Sequence, residues 1–147
     1  ISSNHLTQIH HFTADNSPLL SNNIESIAID GNSGEVYFGT ENGLCSYLSD
    51  ATEPAETMTK NSVYAYPNPV HPDYNGPITI TGLTYDADIK IVTASGILVN
   101  QGRSNGGIYR WNGTDHSGKR VSSGVYMVQT STQEGKKGTV CKIVIVN

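Results

Sequence analysis

Charged residues are scarce in this sequence of 147 residues, at 15% of the total, whereas soluble proteins average roughly 25%. Nine Lys and Arg against thirteen Asp and Glu leave a net charge of −4, and this acidic balance argues against a nucleic-acid-binding surface. No apolar run approaches the roughly 18 residues of a membrane-spanning helix, so we expect none. Two cysteines are too few for a disulfide-stapled scaffold or a four-cysteine zinc site.

Motifs of catalysis and cofactor binding are also absent from the sequence. It contains no phosphate-binding loop, dinucleotide fingerprint, nucleophile elbow or HExxH pair. His10 and His11 are adjacent, so in a strand they would point to opposite faces and could not share a metal. Asp86 and Asp88 could imitate paired catalytic carboxylates, but just before a strand we expect them to be solvated loop residues. We therefore predict a protein that is not an enzyme, with no catalytic residue, no cofactor and no metal.

Small polar residues and glycine take the place of the missing charges, with 15 Ser, 14 Thr, 13 Asn and 15 Gly. Such a turn-rich composition is typical of all-β and extracytoplasmic proteins. Helix formers are sparse, and no window shows a sustained 3.6-residue period. We predict an all-β fold.

A change of composition divides the chain. Residues 51–61 lack alternation and contain one Pro and three Thr, which predicts a linker. We predict one unit over residues 1–50 and a second over residues 62–147. Because the sequence begins with Ile1 and not with Met, we interpret it as the tail of a longer protein.

The first unit is predicted to be a single antiparallel sheet of four strands joined by tight turns. The candidate strands are residues 5–13, 24–30, 36–40 and 44–48. About 50 residues bury little core alone, so we expect this sheet to need neighbours on its faces.

A Gly-Thr-x-x-Gly-Leu stretch runs from Gly39 to Leu44 and combines a strand end, a turn and a strand start. With the preceding Asn-Ser-Pro-Leu at residues 16–19 and with Ile27, it resembles a blade of the propeller repeat of two-component regulators and related bacterial surface proteins. Tyr37 stands where that repeat usually has Trp. The resemblance implies a terminal blade whose ring is completed by blades upstream in the parent chain.

Seven short strand candidates with turn signals between them predict an antiparallel β-sandwich in the second unit. They are residues 63–66, 77–83, 88–93, 97–101, 107–111, 124–131 and 139–146. Alternation predicts that the following residues face the core: Ile78, Ile80, Ile89, Ile91, Cys141, Ile143 and Ile145. We expect the single tryptophan, Trp111, to cap that core.

Three local features have simple structural explanations. Prolines on either side of Asn68 fix the backbone, so residues 67–69 are expected to be an extended, non-pairing segment leading into the sandwich. Asp115 is expected to form an Asx turn, and a calcium site would need more carboxylates. Cys45 and Cys141 could pair in an exported protein, but buried free thiols are the simpler expectation.

Four motifs follow one another in the second unit: Pro-Asn-Pro-Val at residues 67–70, Trp-x-Gly-x-Asp at 111–115, Ser-Gly-x-Tyr at 123–126, and a closing Lys with apolar residues at 142–146. In this order they resemble the C-terminal sorting domain of type IX secretion system cargo from Bacteroidetes, over essentially all of residues 61–147, and this resemblance implies that the sandwich is Ig-like. The resemblance implies a sorting or partner surface formed by Gly124, Tyr126, Lys142, Ile143, Val144, Ile145 and Val146.

Together the two resemblances imply a surface protein of the type IX attachment machinery, exported through the periplasm to the outer membrane. Its expected partners are other type IX proteins and, as a further implication, anionic lipopolysaccharide. One alternative is the sorting tail of a propeller-bearing cargo protein. Another is the periplasmic propeller tail of a hybrid two-component sensor. A blade without its ring is expected to pack on its own sandwich or to form a truncation-induced homodimer.

Overall fold

A computed structural model describes residues 11–49 and 52–147 of the chain. It contains ten strands in three antiparallel sheets, and the described residues form no helix. The chain divides into two compact units, Ile1–Ala51 and Thr52–Asn147. The prediction of an all-β fold is therefore confirmed.

The first unit contains a sheet with the order β1-β2-β3, in which consecutive strands pair. β1 spans Ile24–Asp30, β2 spans Glu35–Thr40 and β3 spans Gly43–Leu48. The predicted strand at residues 5–13 lies mostly outside the described residues, and its described end, residues 11–13, is not a strand. The described part of this sheet thus has three strands where we predicted four.

One face of the described sheet is apolar. Ile27 lies opposite Phe38, and Ile29 lies opposite Val36, so the four side chains share a face. Ile27 and Ile29 remain 60% and 57% exposed. Apolar side chains of this size normally contact another protein surface when they cluster.

The second unit is a sandwich of two antiparallel sheets. The larger sheet has the order β10-β9-β6-β7, with β6 at Asp88–Thr93, β7 at Leu98–Arg103, β9 at Gly124–Ser131 and β10 at Lys137–Ile145. The smaller has the order β4-β5-β8, with β4 at Tyr64–Tyr66, β5 at Ile78–Thr81 and β8 at Tyr109–Trp111. Each strand predicted for this unit is present, with ends that differ by at most two residues.

The core of the sandwich lies between the two sheets and contains the residues that the alternation placed there. Ile78, Ile80, Ile89, Ile91, Ile143 and Ile145 are each at most 1% exposed, and Trp111 is 2% exposed. Cys141 is partly buried and packs against the same cluster. The inward faces predicted for these strands are confirmed.

The segment before the first sandwich strand is attached to the sandwich. Thr52 is buried, and its hydroxyl accepts a hydrogen bond from the Gly107 N–H (3.0 Å) and donates one to the Asn105 carbonyl (3.3 Å). Ala55 donates its N–H to the Leu83 carbonyl (2.8 Å). The described part of the stretch interpreted as a linker is therefore anchored at two points to the second unit.

Helices that could serve as membrane spans do not occur in the described part of the chain.

Candidate functional site

The residues predicted to form a sorting or partner surface lie on two neighbouring strands. Gly124 pairs with Ile145, and Tyr126 pairs with Ile143, through the antiparallel register of β9 and β10. Lys142 and Val144 alternate with these on β10, and Val146 follows the end of that strand. The fold therefore brings the seven predicted residues together on the two strands at one edge of the larger sheet.

Three of the seven point into the core. Tyr126, Ile143 and Ile145 are 6%, 0% and 1% exposed. The Tyr126 hydroxyl donates to the Ser122 carbonyl (2.8 Å), and burial raises the pKa of this phenol above its ordinary value. In the folded protein these three side chains support the sandwich and cannot reach a partner.

The other side of the same strands faces outward. Val144 and Val146 are 38% and 41% exposed, Val125 is 43% exposed, and Lys142 is exposed with Met127 opposite it. We call these five residues the terminal-strand face. Four apolar side chains around one lysine form a contiguous surface of the kind that marks protein contacts. Sequence reasoning missed Val125 and Met127 because both faces of this part of β9 are apolar, so alternation does not show which side chains point outward.

The terminal-strand face continues into a more polar region of the same sheet. Lys90 lies opposite Gln129 and Gln101, and Val140 lies opposite Gln129, in one row across the four strands. In the described residues, Lys90, Lys137 and Lys142 have no ion pair. The outer side of this sheet thus combines apolar groups with three lysines that form no ion pair, and Asp88 lies on the same side.

The Pro-Asn-Pro-Val segment closes part of the edge of β10. The Asn68 amide nitrogen donates to the Lys142 carbonyl (2.8 Å), and its amide oxygen accepts from the Val144 N–H (3.0 Å). Val70 donates its N–H to the Val144 carbonyl (2.8 Å) and accepts from the Val146 N–H (2.9 Å). The backbone of residues 67–69 pairs with no strand, as expected, but it is bent and not extended. The Asn68 side chain makes the contact with β10 because an amide offers the same donor and acceptor as a backbone peptide. The peptide bonds before Pro67 and Pro69 are both cis.

Asp86 and Asp88 both form ion pairs with the Arg103 side chain, which the sequence did not predict. The Arg103 Nη1 lies 2.6 Å from a carboxylate oxygen of Asp86, and its Nε lies 3.2 Å from a carboxylate oxygen of Asp88. Arg103 is the last residue of β7 and lies opposite Asp88, the first residue of β6. The two carboxylates therefore take part in an ion-pair cluster, although both remain partly exposed.

The Asx turn predicted at Asp115 is confirmed. One carboxylate oxygen accepts from the Ser117 hydroxyl (2.6 Å), the Ser117 N–H (2.9 Å) and the Lys119 N–H (3.1 Å). The bond from the Ser117 hydroxyl is the main cause of a pKa below the ordinary value for this carboxyl. Across residues 11–49 and 52–147, no three His, Cys, Asp or Glu side chains cluster to hold a metal ion.

Both cysteines are free thiols, but each is only partly buried, so the expectation of buried free thiols is met in part. Burial raises the pKa of the Cys141 thiol to about 11. This thiol is therefore protonated at neutral pH and behaves as a small apolar group.

The chain is therefore all-β, and its sandwich has one exposed, mostly apolar strand face. Among solved structures, the chain is similar to PorZ of Porphyromonas gingivalis, described as an essential bacterial surface component of the type IX secretion system. The identity is 35% and the TM-score 0.59, over 95% of this chain and 18% of PorZ. Dimeric latent PorU from the same organism matches at 18% identity with a TM-score of 0.43, over 76% of this chain and 12% of PorU. No family model and no curated protein matches the chain.

Proposed function

We propose that this chain is the C-terminal part of a PorZ-like surface component of the type IX secretion system. The observation that carries the proposal is the 35% identity to PorZ over 95% of the chain. The chain spans only 18% of the length of PorZ, so the role of a whole PorZ-like protein is part of the proposal. In this role the chain is not an enzyme, and its sandwich serves export and attachment at the outer membrane.

The terminal-strand face is the proposed contact with another type IX protein at the cell surface. Its exposed valines offer apolar area, and burying one such side chain is worth roughly 1.5 kcal/mol or more. Lys142 lies among them and can pair with a carboxylate at the rim of the interface. This arrangement supports a docking role.

Two further partners belong to the proposal. Handling of anionic lipopolysaccharide is supported by Lys90, Lys137 and Lys142, which lie on one side of the larger sheet and form no ion pair among the described residues. Upstream propeller blades of the parent chain are proposed to cover the exposed Ile27 and Ile29 of the first unit.

The alternative is a propeller-bearing cargo protein that carries the sandwich as a sorting tail. The two roles differ in the fate of the sandwich, because a sorting tail is removed after export and an attachment domain is retained. Mass spectrometry of the surface-exposed parent protein decides between them. Recovery of peptides from residues 137–147 supports the attachment role, and their loss supports the cargo role.

The docking role is tested with Val144→Asp in the parent protein, expressed in its own bacterium. We expect loss of the protein from the surface fraction, measured by protease accessibility on whole cells, and reduced secretion of type IX cargo. Tyr85→Asp is the matched control, because Tyr85 is 65% exposed and lies outside the terminal-strand face. Normal surface display and cargo secretion in the Val144→Asp strain would contradict the proposal.

A further inference from the structure

Asn is among the chemically labile residues of proteins, and in this chain it precedes Gly at four places: Asn42-Gly43, Asn75-Gly76, Asn105-Gly106 and Asn112-Gly113. In such a pair the glycine nitrogen can attack the carbonyl carbon of the Asn side chain, because glycine has no Cβ to hinder the approach. The attack requires the backbone between the two residues to rotate. The four pairs share this chemistry and differ in how firmly the fold holds them.

The pair at Asn105 is held by its backbone. Asn105 exchanges two backbone hydrogen bonds with Ile108 (2.8 and 3.3 Å), and its carbonyl also accepts from the Thr52 hydroxyl (3.3 Å). A Cβ on Gly106 would clash with the Thr52 carbonyl, so this part of the chain is closely covered. Rotation into the attacking geometry would break these contacts.

The pair at Asn112 is held through its glycine. Gly113 is buried, and its carbonyl accepts a hydrogen bond from the Val121 N–H (3.0 Å). An added Cβ would lie 3.2 Å from Nη1 of Arg120, which covers the glycine. Asn112 is itself exposed, but the peptide that follows it is fixed.

The pair in the first unit is held at both residues. The Asn42 side chain donates to the Leu20 carbonyl (3.2 Å), and the Asn42 N–H donates to the Thr40 hydroxyl (3.2 Å). Gly43 pairs with Thr40 across the turn between β2 and β3, and its carbonyl accepts from the same hydroxyl (2.9 Å). This pair therefore also has to open before it can react.

The pair at Asn75 lies in the loop between Val70 and β5 and is held least. In the described part of the chain, the backbone N–H and carbonyl groups of Asn75 and Gly76 form no hydrogen bond. The exposed Asn75 side chain donates one, to the Asp73 carbonyl, at 3.3 Å. The peptide between Asn75 and Gly76 can thus rotate without loss of a backbone hydrogen bond.

The loop is anchored by residues on either side of this pair. Tyr74 packs against the core cluster, its N–H donates to the His71 carbonyl (3.1 Å), and its hydroxyl donates to the Pro77 carbonyl (2.8 Å). The Tyr74 ring lies beside Gly76, where an added Cβ would meet the hydroxyl. Because these contacts do not involve the Asn75 side chain, a chemical change there leaves the loop attached to the sandwich.

We propose that Asn75 is a site of spontaneous deamidation in the folded protein. The Gly76 nitrogen attacks the side-chain carbonyl carbon of Asn75 and loses its proton, a C–N bond forms, and the side-chain amide leaves as ammonia. Water then opens the resulting succinimide at either carbonyl, which gives aspartate or isoaspartate. No electrons are transferred, and water is the co-reactant. The modification goes beyond the proposed function and adds a carboxylate to a loop that already carries Asp73.

The first test is peptide mapping of the full chain after incubation at mildly alkaline pH. Trypsin separates the four pairs, because cleavage after Lys and Arg places them in residues 1–60, 61–90, 104–110 and 111–119. Mass spectrometry follows the change from amide to carboxylate in each peptide. We expect residues 61–90 to convert about tenfold or more faster than the other three peptides, because the other pairs must first open locally. In urea the four pairs should convert at similar rates.

Equal rates at the four pairs in the folded chain would overturn the proposal. So would faster conversion of any of the other three peptides than of residues 61–90. The product adds a second criterion, because direct hydrolysis of the amide gives aspartate alone. We therefore expect two chromatographic peaks of the same mass, one of which contains isoaspartate at residue 75. A single aspartate product would refute the attack by Gly76.

The second test assigns the site with matched variants of one tryptic peptide. Asn75→Gln keeps an amide but places its carbonyl one carbon further away, so it should abolish the mass change in residues 61–90. Asn61→Gln is the control, because Asn61 is exposed, lies in the same peptide and precedes Ser62. It should leave the mass change as it is. Persistence of the mass change in Asn75→Gln would overturn the proposal.

The third test concerns the fold of the modified chain. Asn75→Asp reproduces the aspartate product, and we expect its melting temperature to equal that of the unchanged chain. A lower melting temperature would contradict the inference that the sandwich stays folded after deamidation.

Discussion

The rings of Trp111 and Tyr126 lie 5.7 Å apart at 60° to each other. Each has its polar atom satisfied close to its own position in the chain, because Trp111 Nε1 donates to the Thr114 carbonyl (2.8 Å) and the Tyr126 hydroxyl donates to the Ser122 carbonyl (2.8 Å). The Trp-x-Gly-x-Asp and Ser-Gly-x-Tyr motifs thus meet in the core, and their aromatic residues have a structural role.

This aromatic pair predicts two separable effects at Tyr126. Tyr126→Phe should lower the free energy of unfolding by about 1 kcal/mol, since it removes one hydrogen bond. Tyr126→Ala should lower it by about 3–5 kcal/mol, since it also leaves a cavity beside Trp111. Urea unfolding followed by tryptophan fluorescence measures both values. Equal effects of the two variants would show that the ring does not contribute packing.

Neighbouring residues of β10 should differ sharply in their effect on stability. Ile143→Ala should destabilise the second unit by about 2–5 kcal/mol, because Ile143 is fully buried. Val144→Ala should change stability by less than about 0.5 kcal/mol, because Val144 is 38% exposed. Differential scanning calorimetry of the two variants is the measurement, and similar losses would mean that β10 is not oriented as described.

Cys141 predicts a loss of stability in alkaline solution. The pKa of the thiol rises from 9.0 to about 11 in the folded state, so between these values the unfolded chain has released the proton that the folded chain still holds. Stability contributed by this group is present below pH 9 and is lost as the pH rises towards 11. After allowance for partial exposure, the loss is about 1–2 kcal/mol. Cys141→Ser should flatten this part of the stability profile in denaturant titrations from pH 8 to pH 11, and an unchanged slope would contradict the assignment.

Gly107 is predicted to be far less replaceable than Gly124. A Cβ on Gly107 would clash with the Glu53 carbonyl, whereas a Cβ on Gly124 would meet nothing nearer than 3.9 Å. Gly107→Ala should therefore destabilise the second unit by about 1–3 kcal/mol, and Gly124→Ala should have little effect. Comparison of the two melting temperatures tests this. A neutral Gly107→Ala would show that the segment starting at Thr52 can move away without cost.

The strands of the second unit could be predicted because alternation is a local signal. Ile89 and Ile91 flank Lys90, and this pattern alone indicates which side chains face the core. The contact of the Pro-Asn-Pro-Val segment with β10 could not be predicted in the same way. Asn68 and its partner Lys142 are 74 residues apart in the sequence. No local sequence pattern shows that the Asn68 amide takes the place of a backbone peptide. The same holds for Arg103, which reaches two carboxylates on the neighbouring strand and its preceding turn.

The hydrogen bonds of Thr52 limit where the chain can be truncated without loss of stability. Its hydroxyl is the acceptor for the Gly107 N–H, which is buried. A fragment that starts at the first residue of β4, Tyr64, would lose this hydrogen bond together with the backbone of Glu53 and Pro54 that covers Gly107, and a hydrogen bond of this kind is worth about 0.5–1.5 kcal/mol. Limited proteolysis should accordingly leave a resistant fragment that retains Thr52 and the ten or so residues after it. The segment between Thr52 and the start of β4 thus belongs to the stable sandwich. Truncation within this segment would weaken the fold before any strand is removed.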